Sequence, residues 1–254
     1  MKRIAKAFDR KKVLVAFIMA GDPDLKKTGE YVLALEDGGA DIIELGVPFS
    51  EPIADGPVIQ RAGERALRAG TTLAKILKMV SDLRQRTQVP IVLMGYYNPI
   101  FRYGADRFCE DAVGAGVDGT IVCDLIPEEA GQFVAGARAC GLDTIFLLAP
   151  TSTDERIKRV VSVSSGFIYY VSLIGVTGAR KKLSKDIGPM VKRIKKHTSL
   201  PVAVGFGISS SKQVKEVLDV ADGAVVGSAL VSLIEKGGRG LPRRIGAFVR
   251  SLKD

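Results

Sequence analysis

The stretch DIIELGVPFSEPIADGP, residues 41–57, decides the fold. Residues 41–45 hold Ile42, Ile43 and Leu45 on both sides of a lone Glu44, as in a strand buried on both faces of a parallel sheet. The loop that follows carries Pro48, Pro52 and Pro57, and the Gly56-Pro57 step is where a helix begins. Working outward, the same alternation recurs. Apolar, β-branched runs occupy 13–19 (VLVAFIM), 90–95 (PIVLMG), 119–124 (GTIVCD), 144–149 (TIFLLA), 167–172 (FIYYVS), 201–206 (PVAVGF) and 223–228 (GAVVGS). Amphipathic stretches with helical spacing lie between them at 25–40, 107–116, 128–141, 154–165, 184–198 and 210–221. Several end at glycine, which readily takes the left-handed turn after a helix.

Strand and helix alternate strictly, so the sheet is parallel. Eight strand-helix units in ~250 residues predict an α/β fold closed as a (β/α)₈ barrel. A length of 254 residues could also hold two smaller domains. No linker or low-complexity tract divides the chain, so the expectation is a single domain over 1–254 with a short N-terminal helix. An open, doubly wound sheet is the competing architecture. It needs a glycine-rich phosphate turn after the first strand, and the partial match GFGISS at 205–210 follows the seventh.

A hydrophobic fraction of 46% supplies a sizeable core. Mean hydropathy is only +0.17, and no apolar run approaches the ~20 residues of a membrane helix. The basic start MKRIAKAFDRKK precedes a short apolar run ending in a Gly-Asp-Pro turn. That pattern reads as a helix and the first strand rather than a signal peptide, and a soluble, cytoplasmic protein is expected. Cys109, Cys123 and Cys140 show no CxxC spacing, which fits a reducing compartment. With His197 as the single histidine, no metal site is expected. Net charge is +9. Its basic clusters, Arg10–Lys12, Arg180–Lys182, Lys192–Lys196 and Arg239–Arg250, are scattered and lack interleaved aromatics. They read as solvated helix faces that favour phosphorylated substrates modestly, not as a nucleic-acid surface.

Barrel chemistry sits at the C-terminal strand ends. Alternation puts Ile42 and Glu44 on one side of their strand, so a barrel-facing Ile42 brings Glu44 into the interior. Asp55 stands just before the helix, either as a turn residue or as a second carboxylate facing the pocket. GFGIS (205–209) and GSA (227–229) offer backbone N–H groups at the helix starts after the two last strands, a composition suited to an anion. The loop IGVTGARKKLS (174–184) has the glycine-flanked, polar make-up of a lid.

The segment ELGVPFSEPIADGPVIQ (44–60) closely resembles the signature of tryptophan synthase α chains. FIMAGDP (17–23), MGYYNPIF (94–101), YYVSLIGVTGAR (169–180) and AVGFGIS (203–209) resemble further family segments in the same order, so the likeness covers almost the whole chain. The resemblance implies that Glu44 is the general acid/base and that Asp55 binds the indole ring nitrogen. It implies that Phe17, Ile59, Met94 and Phe206 surround the indole, with Tyr169 beside the substrate. Thr177 would help position Asp55, and Gly178, Gly207, Gly227 and Ser228 would hold phosphate. The implied reaction is retro-aldol cleavage of indole-3-glycerol phosphate, with no cofactor in this chain. The implied partner is a pyridoxal-phosphate β subunit in an α₂β₂ assembly, docked through Ser50, Glu51 and Pro52. Glu51 departs from the aspartate usual in the family, and Leu173 and Ile174 replace more polar residues of some relatives.

Three other readings compete. One is another phosphosugar barrel, such as a class I aldolase or a phosphoribosyl isomerase; a Schiff-base aldolase needs a lysine at a strand end, none of the eight runs ends in one, and the ligand cluster of a metal aldolase is missing. A non-catalytic activator would not need both Glu44 and Asp55. Nucleic-acid binding rests on net charge alone.

Overall fold

A computed structural model describes residues 2–9, 12–172, 183–205 and 207–253. Helix α1 (Arg3–Asp9) precedes strand β1 (Val13–Met19), followed by α2 (Leu25–Asp37) and β2 (Ile42–Gly46). Two helices, α3 (Pro57–Arg68) and α4 (Leu73–Leu83), lead to β3 (Ile91–Gly95). Then come α5 (Tyr97–Tyr103), α6 (Ala105–Ala115), β4 (Gly119–Val122), α7 (Gly131–Cys140), β5 (Asp143–Ile145) and β6 (Leu147–Leu148). The rest is α8 (Asp154–Val163), β7 (Ile168–Val171), α9 (Leu183–Lys195), β8 (Val202–Gly205), α10 (Ser211–Leu218), β9 (Gly223–Val226), α11 (Ser228–Lys236) and α12 (Leu241–Lys253).

The strands are parallel in the order β5-β4-β3-β2-β1-β9-β8-β7-β6. β5 and β6 are halves of the run 144–149, interrupted at Phe146, whose carbonyl accepts the Tyr169 N–H at 3.1 Å. Counted as one strand, they close an eight-stranded barrel, as the sequence predicts. The seven other predicted runs each match one strand. Differences concern helices. α7 starts at Gly131 rather than at residue 128, α3 begins at Pro57 and α11 at Ser228 as expected, and α4, α5 and α12 are additional to the expected helices.

Alternation sorts each strand between two cores. Leu14, Ile43, Leu93, Ile168 and Val204 face outward into the large core shared with the helices. Val13, Val15, Ile42, Val92, Ile121, Ile145, Tyr169, Ala203 and Val225 fill the barrel interior. Ile4 of α1 joins that interior cluster, so α1 plugs the N-terminal end. Phe8 lies 5.5 Å from Phe167, ring to ring. Lys2 reaches Asp143 at 2.7 Å and Arg3 reaches Asp118 at 3.1 Å.

Asp118 anchors this end. It accepts from Arg84 and from the Ile91 N–H, each at 2.8 Å, as well as from Arg3. Arg84 is itself largely enclosed, with 11% of its side chain exposed. Asp118→Ala takes the carboxylate away from that enclosed cation and the acceptor away from one strand N–H. It should cost about 3 kcal/mol in a urea unfolding titration. A loss too small to move the midpoint contradicts the anchoring role.

Candidate active site

The C-terminal strand ends surround a cavity of about 160 Å³ lined by Phe17, Glu44, Asp55, Ile59, Met94, Tyr169, Gly205, Gly207, Val225, Gly227 and Ser228. Larger concavities lie between α2 and α4 (440 Å³) and beside α1 (650 Å³). Neither holds a buried carboxylate, so the chemistry belongs to the smaller one. Register builds it. Phe17 of β1 pairs with Glu44 of β2, and paired residues on neighbouring parallel strands face the same way. A Cβ at Gly205 would stand 2.5 Å from the Tyr169 hydroxyl, so glycine there makes room for the tyrosine.

Glu44 is 1% exposed, and neither carboxylate oxygen has a hydrogen-bond partner among the described residues. Burial, followed by the nearby Asp55 charge, pushes its pKa up to about 8. The carboxyl therefore carries a proton at neutral pH. Asp55 lies less deeply. Burial raises its pKa too, while a hydrogen bond from Tyr96 opposes the rise. Two neighbouring acids thus sit in unequal environments, the pattern that separates an acid from an anion.

Tyr96 is the residue the sequence reading missed. It follows β3 directly, is 4% exposed, and its ring lies 5.2 Å from that of Phe49, tilted by 33°. Its hydroxyl accepts the Ala54 N–H at 3.0 Å and bonds the Asp55 carboxyl. One side chain thereby holds the loop 48–56 near both its ends, at Phe49 and at Ala54, and leaves Ser50 and Glu51 exposed. The strand-end rule applied to β3 could have found it. Cys123, in the inward register of Ile121, also lies near Glu44 and Asp55, and burial first of all raises its thiol pKa.

At the far side, Gly227 caps α11 without a side-chain hydrogen bond, and Ser228 is the helix's first residue. This leaves backbone N–H groups at the cavity. GFGIS differs from expectation. α10 starts only at Ser211, and Ser210 caps it by accepting from Gln213 N–H, so Gly207 meets the cavity from a loop rather than a helix start. Thr177, Gly178, Phe206 and the expected lid at 174–182 lie outside the described residues. Of the expected docking residues, Ser50 and Glu51 are exposed and Pro52 is half-buried. Among the described residues no group of His, Cys, Asp and Glu could hold a metal ion, and no helix is long and apolar enough to cross a membrane.

Fold and site together define a (β/α)₈-barrel protein with a carboxylate-bearing pocket at the barrel mouth. The family model for the tryptophan synthase alpha chain matches residues 4–250, and the chain belongs to that family. It is 57% identical to the tryptophan synthase alpha chain of Geotalea uraniireducens, across 100% of this chain and 97% of the relative. The crystal structure of tryptophan synthase subunit alpha from Legionella pneumophila is 39% identical, with a TM-score of 0.92 over 100% of this chain and 97% of that one. A structure addressing mutual activation of the tryptophan synthase α₂β₂ complex of Pyrococcus furiosus gives 43% identity and a TM-score of 0.89, over 94% and 97%.

The raised pKa of Glu44 has a stability signature. Below the ordinary value of 4.5 the carboxyl is protonated whether the chain is folded or not. Between there and about 8 the unfolded chain releases the proton and the folded chain keeps it. Stability from this group is therefore full at low pH and is lost as pH rises through that window. Glu44→Gln should gain stability relative to the parent at pH 9 and gain less at pH 5. Parallel thermal-unfolding profiles for the two proteins contradict the shift.

Proposed function

We propose that this chain cleaves indole-3-glycerol phosphate into indole and glyceraldehyde 3-phosphate, the α reaction of tryptophan synthesis. The observation that carries the reading is Glu44, a desolvated carboxyl with no partner among the described residues, beside Asp55 in the pocket of a chain of this family. Cleavage needs a proton on the ring carbon that bears the side chain. Glu44, protonated near neutral pH, is suited to supply it. The ring is then electron-poor, and ionised Asp55 accepts a hydrogen bond from its N–H. Tyr96 helps keep Asp55 ionised. Glu44, now a carboxylate, takes the proton of the adjacent glycerol hydroxyl. The hydroxyl carbon becomes the aldehyde, the carbon–carbon bond breaks, and its electron pair returns to the ring to give indole.

Phe17, Ile59, Met94 and Phe206 would enclose the indole, with Tyr169 beside the substrate. Gly178, Gly207, Gly227 and Ser228 would take the phosphate through backbone N–H groups and the start of α11. Thr177 would steady Asp55. The chemistry requires no cofactor in this chain.

The same reading places the protein in the cytoplasm, docked on a pyridoxal-phosphate β subunit in an α₂β₂ complex. Exposed apolar residues support a docking face at the barrel mouth. Ile53 is 85% exposed, Phe101 67% and Ile126 41%, and they follow β2, β3 and β4, three neighbouring strands. They extend the Ser50–Pro52 surface.

The purified chain, with no added metal, should release indole from indole-3-glycerol phosphate. Glu44→Gln should lose roughly 10²–10⁴-fold or more in kcat while retaining substrate binding, and Asp55→Asn should be severely impaired. Near-parental turnover in either variant rejects its assigned role.

Addition of a cognate β subunit should raise α turnover by about 5–150-fold, the range of ordinary coupling energies. A partner that fixes the tip of loop 48–56 also fixes Asp55. Pro52→Gly should lower this activation far more than basal turnover. A complex that leaves turnover unchanged contradicts the coupling.

A further inference from the structure

We infer that Arg65 is a positioning residue: by joining the loop after β1 to helices α3 and α11, it sets the spacing between the aromatic and phosphate ends of the pocket. This rests on the substrate proposed above. Asp22, in the loop after β1, is 2% exposed. Both its oxygens accept from Arg65, from Nε at 2.8 Å and from Nη2 at 2.8 Å. The remaining nitrogen, Nη1, donates to Glu235 on α11 at 2.9 Å. Arg61, one turn earlier on α3, forks onto the same Glu235 at 2.7 and 2.9 Å. Two cations and two anions thus tie three elements together.

Those elements also build the pocket. Phe17 comes from β1, Ile59 from the start of α3, and Gly227 and Ser228 from the start of α11. Arg65 stands six residues beyond Ile59, or about 9 Å along the helix, and Glu235 seven residues beyond Ser228, about 10 Å. A small change of angle at the clamp therefore displaces both helix starts. The apolar contact beneath does little to prevent it. α3 buries Ala62, Gly63 and Ala66 there, against Phe17, Met19 and Val231. Such short side chains present shallow ridges, so they set helix register weakly. The guanidinium forks are directional and supply that register. Glu235 is partly exposed, and a pair of that kind adds little to global stability. Geometry is the property it governs.

The test compares whole substrate with its parts. Indole touches the aromatic end, glycerol 3-phosphate the other, and indole-3-glycerol phosphate spans both. Glu235→Ala separates α11 from α3 and leaves the buried Asp22–Arg65 fork in place. Each fragment should bind within about twofold of the parent value, while kcat/KM for the whole substrate falls about tenfold through misplacement of its two ends. The melting temperature should hardly move. Arg65→Met should lose more, and Arg65→Lys should recover part of that loss, since an ammonium keeps the charge but lacks the planar fork that grips Asp22 with two nitrogens while a third reaches Glu235. Unchanged kinetics in Glu235→Ala, or equal weakening of fragments and whole substrate, overturns the clamp. A parent chain that cleaves nothing overturns the proposed function and the clamp with it. A cleaving parent beside an indifferent Glu235→Ala overturns the clamp alone.

Discussion

An ionised carboxylate is costly to leave unpaired inside a protein, and the mouth of this barrel is arranged around one such group. Glu44 has the barrel interior beneath it, Phe17 beside it in register and Tyr169 across the cavity. Among the described residues, the site keeps the group neutral by withholding partners. Asp55 is the counterpoint, because it is less enclosed and receives the Tyr96 hydroxyl. The difference between the two acids arises from position: one is on a strand, the other on a loop. A strand can bury a side chain completely, whereas a loop tip stays near water unless another element reaches for it.

That distinction also explains what could be read from the sequence. The eight strands were legible because continuous burial leaves continuous apolar runs, and the inward face of β2 followed from alternation between Ile42 and Ile43. The interruption at Phe146 was not legible, since a one-residue break in hydrogen bonding leaves the hydrophobic pattern intact. Glu44 could be placed by its strand position alone. Asp55 could not, because its reach into the cavity depends on Tyr96, which belongs to the next barrel sector and is 42 residues from Ala54 in sequence. GFGIS was readable as glycine-rich, but the start of α10 depended on the Ser210 cap rather than on those glycines. Exposed Ile53, Phe101 and Ile126 were equally hidden. Each looks like core in a linear pattern, and only the fold puts them on the outer surface.

The catalytic loop and the clamp share a design. Tyr96 holds the loop after β2 from β3, and Arg65 holds α3 from β1 and α11. In both cases a side chain from one sector controls the backbone of another. The β-strands supply stiffness, the outer contacts tune placement, and the walls of the cavity come from elements far apart in the chain.

The closure of the sheet has a consequence for how the protein is made. Strand β1 pairs on one side with β2, but on the other with β9, where Val13 meets Gly223. The plug helix α1 likewise waits for Asp143, 141 residues beyond Lys2. A chain emerging from the ribosome therefore carries β1 with one edge unpaired until nearly all of it has been synthesised. Such an edge invites pairing with another chain, and contacts this distant in sequence form slowly. Until β9 is translated, that edge is open to any chain that can pair with it, and the meeting of Val13 with Gly223 ends its exposure.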